Sequence, residues 1–200
     1  MPMPDLIAVS DAQACAAGSD WDAVVAVGPT TSFPESTEVQ TVLQQSASLD
    51  AHLLKEGGLV TAPPVAGGRL VFSPTGPLDR DYDDVRRYGA AAARGVARAR
   101  DAGARRPLLL LGGVPETPVF RRALEVSLLG ACQALWAPLE AREARGEEEM
   151  EPVLAVGFVH DDGVNGDALA QGVMALEAGR RLARDLGLSL IHISEPTRPY

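Results

Sequence analysis

The run "PLLLLGG", Pro107–Gly113, restricts the fold of this 200-residue chain more than any other stretch. Four consecutive leucines offer no polar side for water, so a strand made of them must be covered on both faces. The proline before them and the glycines after them keep the strand short. Such a strand belongs inside a parallel or mixed sheet with helices above and below. "PVLAVGFV" (Pro152–Val159) has the same character. "WDAVVAVG" (Trp21–Gly28) is a third strand, rich in β-branched residues and closed by Gly-Pro. "LVTAPP" and "GRLVFSP" read as two brief strands around Gly67 and Gly68. Their prolines suit edge positions or strand ends, because proline cannot donate to a ladder.

Helical patterns fill the intervals. "SASLDAHLLKEGG" (Ser46–Gly58) predicts a short helix ended by a glycine pair. In Asp79–Pro107, Asp81, Asp83 and Asp84 crowd the helix start while Arg94, Arg98 and Arg100 lie toward its end, complementing the helix dipole. Val85, Tyr88, Ala92 and Val96 form its apolar stripe, Gly103 fits its C-cap and Pro107 stops it. Thr117–Glu140 predicts another helix, with Thr117 as N-cap, Pro118 at the first position and Pro138 at the end. "EAREARGEEEMEP" reads as a solvated acidic loop or frayed helix end. The last helix follows "VHDDGVNGD", capped by Asn165 or Asp167. Leu169, Val173, Leu176, Ala183 and Leu186 form its expected buried face, and Glu177 with Arg181 an i,i+4 ion pair. Strands alternating with helices predict a three-layer α/β/α domain with a mixed, largely parallel central sheet. The first 45 residues carry the fewest signals.

With 4% aromatic and 46% apolar residues, the core has to be built from Ala, Val and Leu. A domain of this size buries enough surface to need no disulfide or metal staple. The net charge of −9 argues against a nucleic-acid partner, which calls for a basic footprint. No basic-then-apolar leader opens the sequence, and no apolar run approaches the ~20 residues that span a bilayer, so a cytoplasmic location without membrane contact is expected. Cys15 and Cys132 have no metal-ligand spacing, and Cys132 reads as a small buried hydrophobe.

Two loops could carry chemistry. Gly112–Gly113, between a buried strand and a helix, could present backbone N–H groups to a phosphate. It lacks the G-x-G-x-x-G and G-K-[ST] patterns, so a tight strand-to-helix turn is the preferred reading. The segment Val159–Asp167 gathers His160, Asp161, Asp162 and Asp167, a set able to bind a metal or serve as acid and base. The same residues are equally the makings of a polar loop and an N-cap, which is the reading favoured over a metal-dependent hydrolase site. No G-x-S-x-G elbow is present. The chain is therefore assigned no catalytic, cofactor-binding or metal-ligating residue of its own.

Two stretches, "YDDVRRYGAAAARGVARARDAGARRPLLLL" and "ALEAGRRLARDLG", resemble the amino-terminal domain of the leucyl (cytosol) aminopeptidase family. In that family the second stretch is the helix whose "A-R-D-L" ending, here Ala183–Leu186 within Ala178–Leu186, leads to the catalytic domain. The resemblance implies a macro-domain-like fold and a non-catalytic part in packing and assembly. It implies an intact parent enzyme, a hexamer, that removes amino-terminal residues from peptides with two divalent metal ions, manganese or zinc. The metal-site signature Asn-Thr-Asp-Ala-Glu-Gly-Arg does not occur, and Lys55, the one lysine, is in the wrong context to replace the metal-binding lysine. A free macro-like module binding ADP-ribose or a related nucleotide is the alternative.

The match stops at Gly187. Residues 1–187 are expected to form the domain and 188–200 a non-native tail. "LSLIHISEPTRPY" resembles a conceptual translation of adapter DNA, although Leu188–Ile193 alone could pass for a short strand. The tail is expected to pack poorly and to extend past the domain.

Overall fold

The computed structural model describes residues 3–193, with the side chains of 147 and 189–193 left out. Six strands form one sheet: β1 Asp5–Val9, β2 Ala23–Gly28, β3 Gly58–Thr61, β4 Arg69–Pro74, β5 Pro107–Leu111 and β6 Ala155–Val159. Their spatial order is β1-β6-β5-β2-β4-β3, with every neighbouring pair parallel except β3 and β4. The leucine run is β5, near the middle of the sheet, and Leu108, Leu109 and Leu110 are buried. Leu109 enters one core, while Leu108 and Leu110 enter the other. β2 divides likewise, Val25 and Val27 facing one side and Val24 and Ala26 the opposite side. Helices on both faces supply the cover that these two-sided strands require.

On one face lie α3 (Arg86–Asp101), α4 (Ala123–Leu135) and α7 (Gly166–Ile193); on the other lie α1 (Thr37–Leu49) and the single turn α2 (Leu53–Glu56). The expected three-layer α/β/α architecture is present. β3 occupies an edge and ends ahead of Pro63 and Pro64, whereas β4 is interior and places Pro74 at its last position, so the prolines fall beside an edge strand and at a strand end, as anticipated. Tyr88, Ala92 and Val96 of α3 are fully buried, and Gly103, at φ +86°, follows the helix end.

Several local expectations change. β1 arises from "DLIAV", which gave no strand signal strong enough to register. α1 begins at Thr37, capped by Ser36 Oγ, nine residues earlier than expected; Asp50 interrupts the pattern and α2 is separate. Pro118 opens a 3-10 turn, Pro118–Phe120, and α4 proper starts at Ala123 and ends at Leu135, ahead of Pro138. Thr117 makes no side-chain cap bond. Asn165 does cap α7, its Oδ1 accepting from Ala168 N at 3.0 Å. α7 continues through Ile193, so Leu188–Ile193 is helical backbone and not a strand. The expectation for the rest of the tail, 194–200, lies outside the described residues.

The largest revision concerns the acidic segment and α7. "EAREARGEEEMEP" is not simply solvated: it forms α5 (Leu139–Arg145) and α6 (Glu147–Met150), and it sends Arg142 into the interior. On α7, Val173 is buried and Leu169 partly so, but Leu176, Ala183 and Leu186 are exposed. The buried positions are Glu177, Arg181 and Asp185. Charged side chains that find partners inside outweigh the leucine pattern here, because α5 and the segment before β6 bring the complementary charges.

Candidate functional site

The carboxyl ends of parallel strands are where open α/β sheets usually bind ligands. At that crest β5 runs into Gly112–Gly113. Gly112 N donates to Val27 O at 2.8 Å, which ties the turn to β2. The Tyr88 hydroxyl donates to the carbonyls of Gly113 (2.8 Å) and Gly112 (3.1 Å). Burial raises the Tyr88 pKa well above its ordinary value. A Cβ at Gly112 would lie 2.6 Å from the Phe33 ring, and Gly113 (φ +61°) packs against Pro29. The two glycines therefore serve close packing of the turn under Phe33 and Pro29, as the tight-turn reading expects. Tyr88→Phe should cost about 1–2 kcal/mol by leaving these carbonyls without their donor, which urea unfolding would measure.

The second loop does not assemble into a centre. His160 N donates to Val9 O, its Nδ1 lies 3.0 Å from Asp161 O, and its ring packs near Phe158. Asp161, Asp162 and Asp167 are exposed. Lys55 is exposed on α2, which packs on the opposite face of the sheet from α7. Among the described residues no group of three or more His, Cys, Asp or Glu could hold a metal ion. The donor set present thus does not fit a two-metal centre, and no hydrolytic step is derived from it.

Both cysteines are buried and reduced. Burial pushes each thiol up to about 12, reinforced by Glu38 and Asp11 at Cys15 and by Glu177 at Cys132. Neither should react with Ellman's reagent at pH 8 until urea unfolds the chain. The folded state retains protons that an unfolded thiol releases near pH 9, so stability falls as pH rises from about 9 toward 12. Urea midpoints across that interval check the sign.

The densest chemistry lies between α4, α5 and α7, where sequence reasoning saw none. Arg142 Nη2 donates to Asp185 Oδ2 at 2.6 Å, and its Nε donates to Ala137 O at 3.0 Å. Arg181, 1% exposed, grips both oxygens of Glu151, and Glu151 Oε1 also accepts from Ala137 N at 2.8 Å. Asp185 Oδ1 accepts from Trp136 Nε1 at 3.2 Å. Glu177 is held by Arg180 and Arg184, and the Arg184 guanidinium lies 4.8 Å above the Trp136 ring. At Arg142 the planar fork meets two acceptors at once, Ala137 O through Nε and Asp185 through Nη2, whereas Arg181 reaches both Glu151 oxygens through Nη2 alone. The predicted Glu177–Arg181 pair is thereby replaced: each takes other partners. Carboxylates committed in this way clamp α7 to α4 and α5 and are unsuited to holding a catalytic metal. The sequence signal that could have revealed the cluster is the i,i+4,i+8 row Glu177, Arg181, Asp185. The Arg184–Asp185 of the "A-R-D-L" ending belong to it.

At the opposite end of the sheet an open depression of about 810 Å³ is lined by Arg100, Arg105, Arg145, Glu148, Glu149 and Pro152, among others. Its lining carries three arginines and two glutamates, charges of both signs.

No family model matches the chain. A curated Caenorhabditis elegans protein named "Putative aminopeptidase W07G4.4" is 32% identical over 179 residues, covering 86% of this chain and 33% of that protein. Among solved structures, a tomato leucine aminopeptidase variant superposes with a TM-score of 0.62 at 14% identity, covering 89% of this chain and 37% of that one. The superposed region is its amino-terminal part. The macro domain of ganglioside-induced differentiation-associated protein 2 follows at TM-score 0.49 and 14% identity, covering 86% and 84% of the two chains, too loose a likeness to build on. The chain spans about a third of the length of the aminopeptidases it matches. With a third of its residues shared across most of its length, the chain belongs to the aminopeptidase family of the nematode protein, and its fold is that of the amino-terminal part of a leucine aminopeptidase.

Proposed function

We propose that this chain is the non-catalytic amino-terminal domain of a leucyl-aminopeptidase-like metallopeptidase. The observation that carries the proposal is the lopsided match: 86% of this chain against 33% of the nematode protein. Hydrolysis then belongs to the remaining two-thirds, where the intact enzyme would use two divalent ions, manganese or zinc, to release amino-terminal residues from peptides. Assembly of that enzyme into a hexamer and a cytoplasmic location are parts of the same proposal. Among the described residues no helix is long and apolar enough to cross a membrane.

Two features of the chain support the reading. Its buried carboxylates, Glu151, Glu177 and Asp185, are bound to arginines. In its glycine turn the Gly112 N–H is already spent on Val27 O, which leaves the alternative role as an ADP-ribose-binding module without support at that group. Calorimetry tests both points. Titration with manganese or zinc should reveal no saturable micromolar site, and ADP-ribose should produce no binding heat up to millimolar concentration. A saturable site for either metal would overturn the proposal, and ADP-ribose binding would favour the module.

A further inference from the structure

Pro4, Arg105 and Leu154 immediately precede or lead into β1, β5 and β6, so the depression at this end of the sheet lies opposite the crest. The depression of about 810 Å³ adjoins a smaller one of about 370 Å³, lined by Met3, Pro4, Val153 and Leu154 together with Glu151. Arg105 and Glu148 line both, so one cation and one anion stand where the two depressions meet. They do not neutralise each other. Among the described residues Glu148 has no hydrogen bond or ion pair, and the Arg105 guanidinium has a single partner, Pro152 O at 3.3 Å. Glu151 adds no free charge, because Arg181 and Ala137 N hold it.

The walls are fixed before any ligand arrives. Asp22 accepts from Arg105 N at 2.7 Å and from Arg106 N at 3.0 Å, and Arg105 O accepts from Leu154 N at 2.8 Å. The far wall is anchored through Arg142, buried beneath α5 and bonded to Asp185 and Ala137 O. A site built in advance loses little affinity to ordering its own groups.

We propose that this junction binds a free α-amino acid with an aliphatic side chain. Such a ligand carries an ammonium and a carboxylate on one carbon, and so needs opposite charges side by side. Arg105 takes the carboxylate, the acceptor that a guanidinium fork matches best. Glu148 takes the ammonium, and the side chain enters among Met3, Pro4, Val153 and Leu154. A simple anion would meet repulsion from Glu148, and a simple cation from Arg105. A peptide holds its two charges further apart than this junction does. The smaller depression falls within the roughly 300–1,000 Å³ of ordinary small-molecule sites. Nothing in the proposal depends on the aminopeptidase reading.

Calorimetry of the whole chain with leucine tests it. Leucine should give one saturable site with a Kd on the order of a millimolar or tighter. N-acetylleucine lacks the ammonium, leucinamide lacks the carboxylate and glycine lacks the side chain; each should bind at least tenfold more weakly. Glu148→Gln and Arg105→Gln alter exposed side chains. Each should leave the melting temperature unchanged and weaken leucine at least tenfold. If either variant melts lower, the three analogues decide, since they need no substitution. The proposal is overturned by the absence of saturable heat with leucine up to about 50 mM, by N-acetylleucine binding as tightly as leucine, or by unaltered leucine affinity in both variants. Leucylglycine binding more tightly than leucine would also overturn it, in favour of a peptide.

Discussion

Arg181→Met is expected to destabilise the chain by about 3–5 kcal/mol, the cost of stranding a buried carboxylate whose partner has been removed. Arg181 donates to both oxygens of Glu151, and both side chains are almost wholly buried. The methionine fills much of the arginine's volume, so the loss reports the charge and not a cavity. Adding Glu151→Gln to the same variant should return part of the stability. The amide can still accept from Ala137 N, and no uncompensated charge remains. Urea unfolding of the wild type, both single variants and the double variant gives the coupling. Strict additivity would mean that the two side chains do not act as a pair. Because this cluster ties α7 to α4 and α5, the loss should also appear as faster hydrogen exchange near Trp136 and along α7.

Glycine-to-alanine changes at two helical positions should have opposite signs. Gly130 on α4 crosses Gly89 on α3 so closely that an alanine Cβ would lie 2.2 Å from Gly89 O. Backbone must move to admit it, so Gly130→Ala is expected to cost about 3 kcal/mol, at the upper end of ordinary overpacking. Gly172 lies within α7 facing open space. There alanine improves helix propensity, and Gly172→Ala should stabilise the isolated chain by about 0.5–1 kcal/mol. Thermal melts of the two variants decide the matter. Equal effects would show that the α3–α4 crossing is looser than the Gly89–Gly130 approach implies.

The central strands were legible because leucines and valines without polar alternation admit few other placements. α3 was legible because its alanines and arginines segregate around the helix. β1 was not, since "DLIAV" is short and partly exposed at the sheet edge, where only pairing with β6 defines it. The misread face of α7 has a physical cause. Leucines at helical spacing announce that something covers them, but periodicity is silent on whether the cover is this domain's core. Here the core took the row Glu177, Arg181, Asp185, whose partners Glu151 and Arg142 lie in a segment that read as solvated. Ion pairs between distant segments leave no local period, which hid the cluster. Of the two candidate loops, Gly112 packs against Phe33 within its turn and Asn165 caps α7, features that the glycine pair and the polar segment each announced.

Hydrolysis of leucinamide by the purified chain, assayed with added manganese or zinc, tests the central claim most directly. The claim predicts no metal-dependent turnover above the blank, at any enzyme concentration the chain tolerates. Turnover that rises with metal, disappears on chelation and co-purifies with the chain would contradict it and place a hydrolytic centre within these residues.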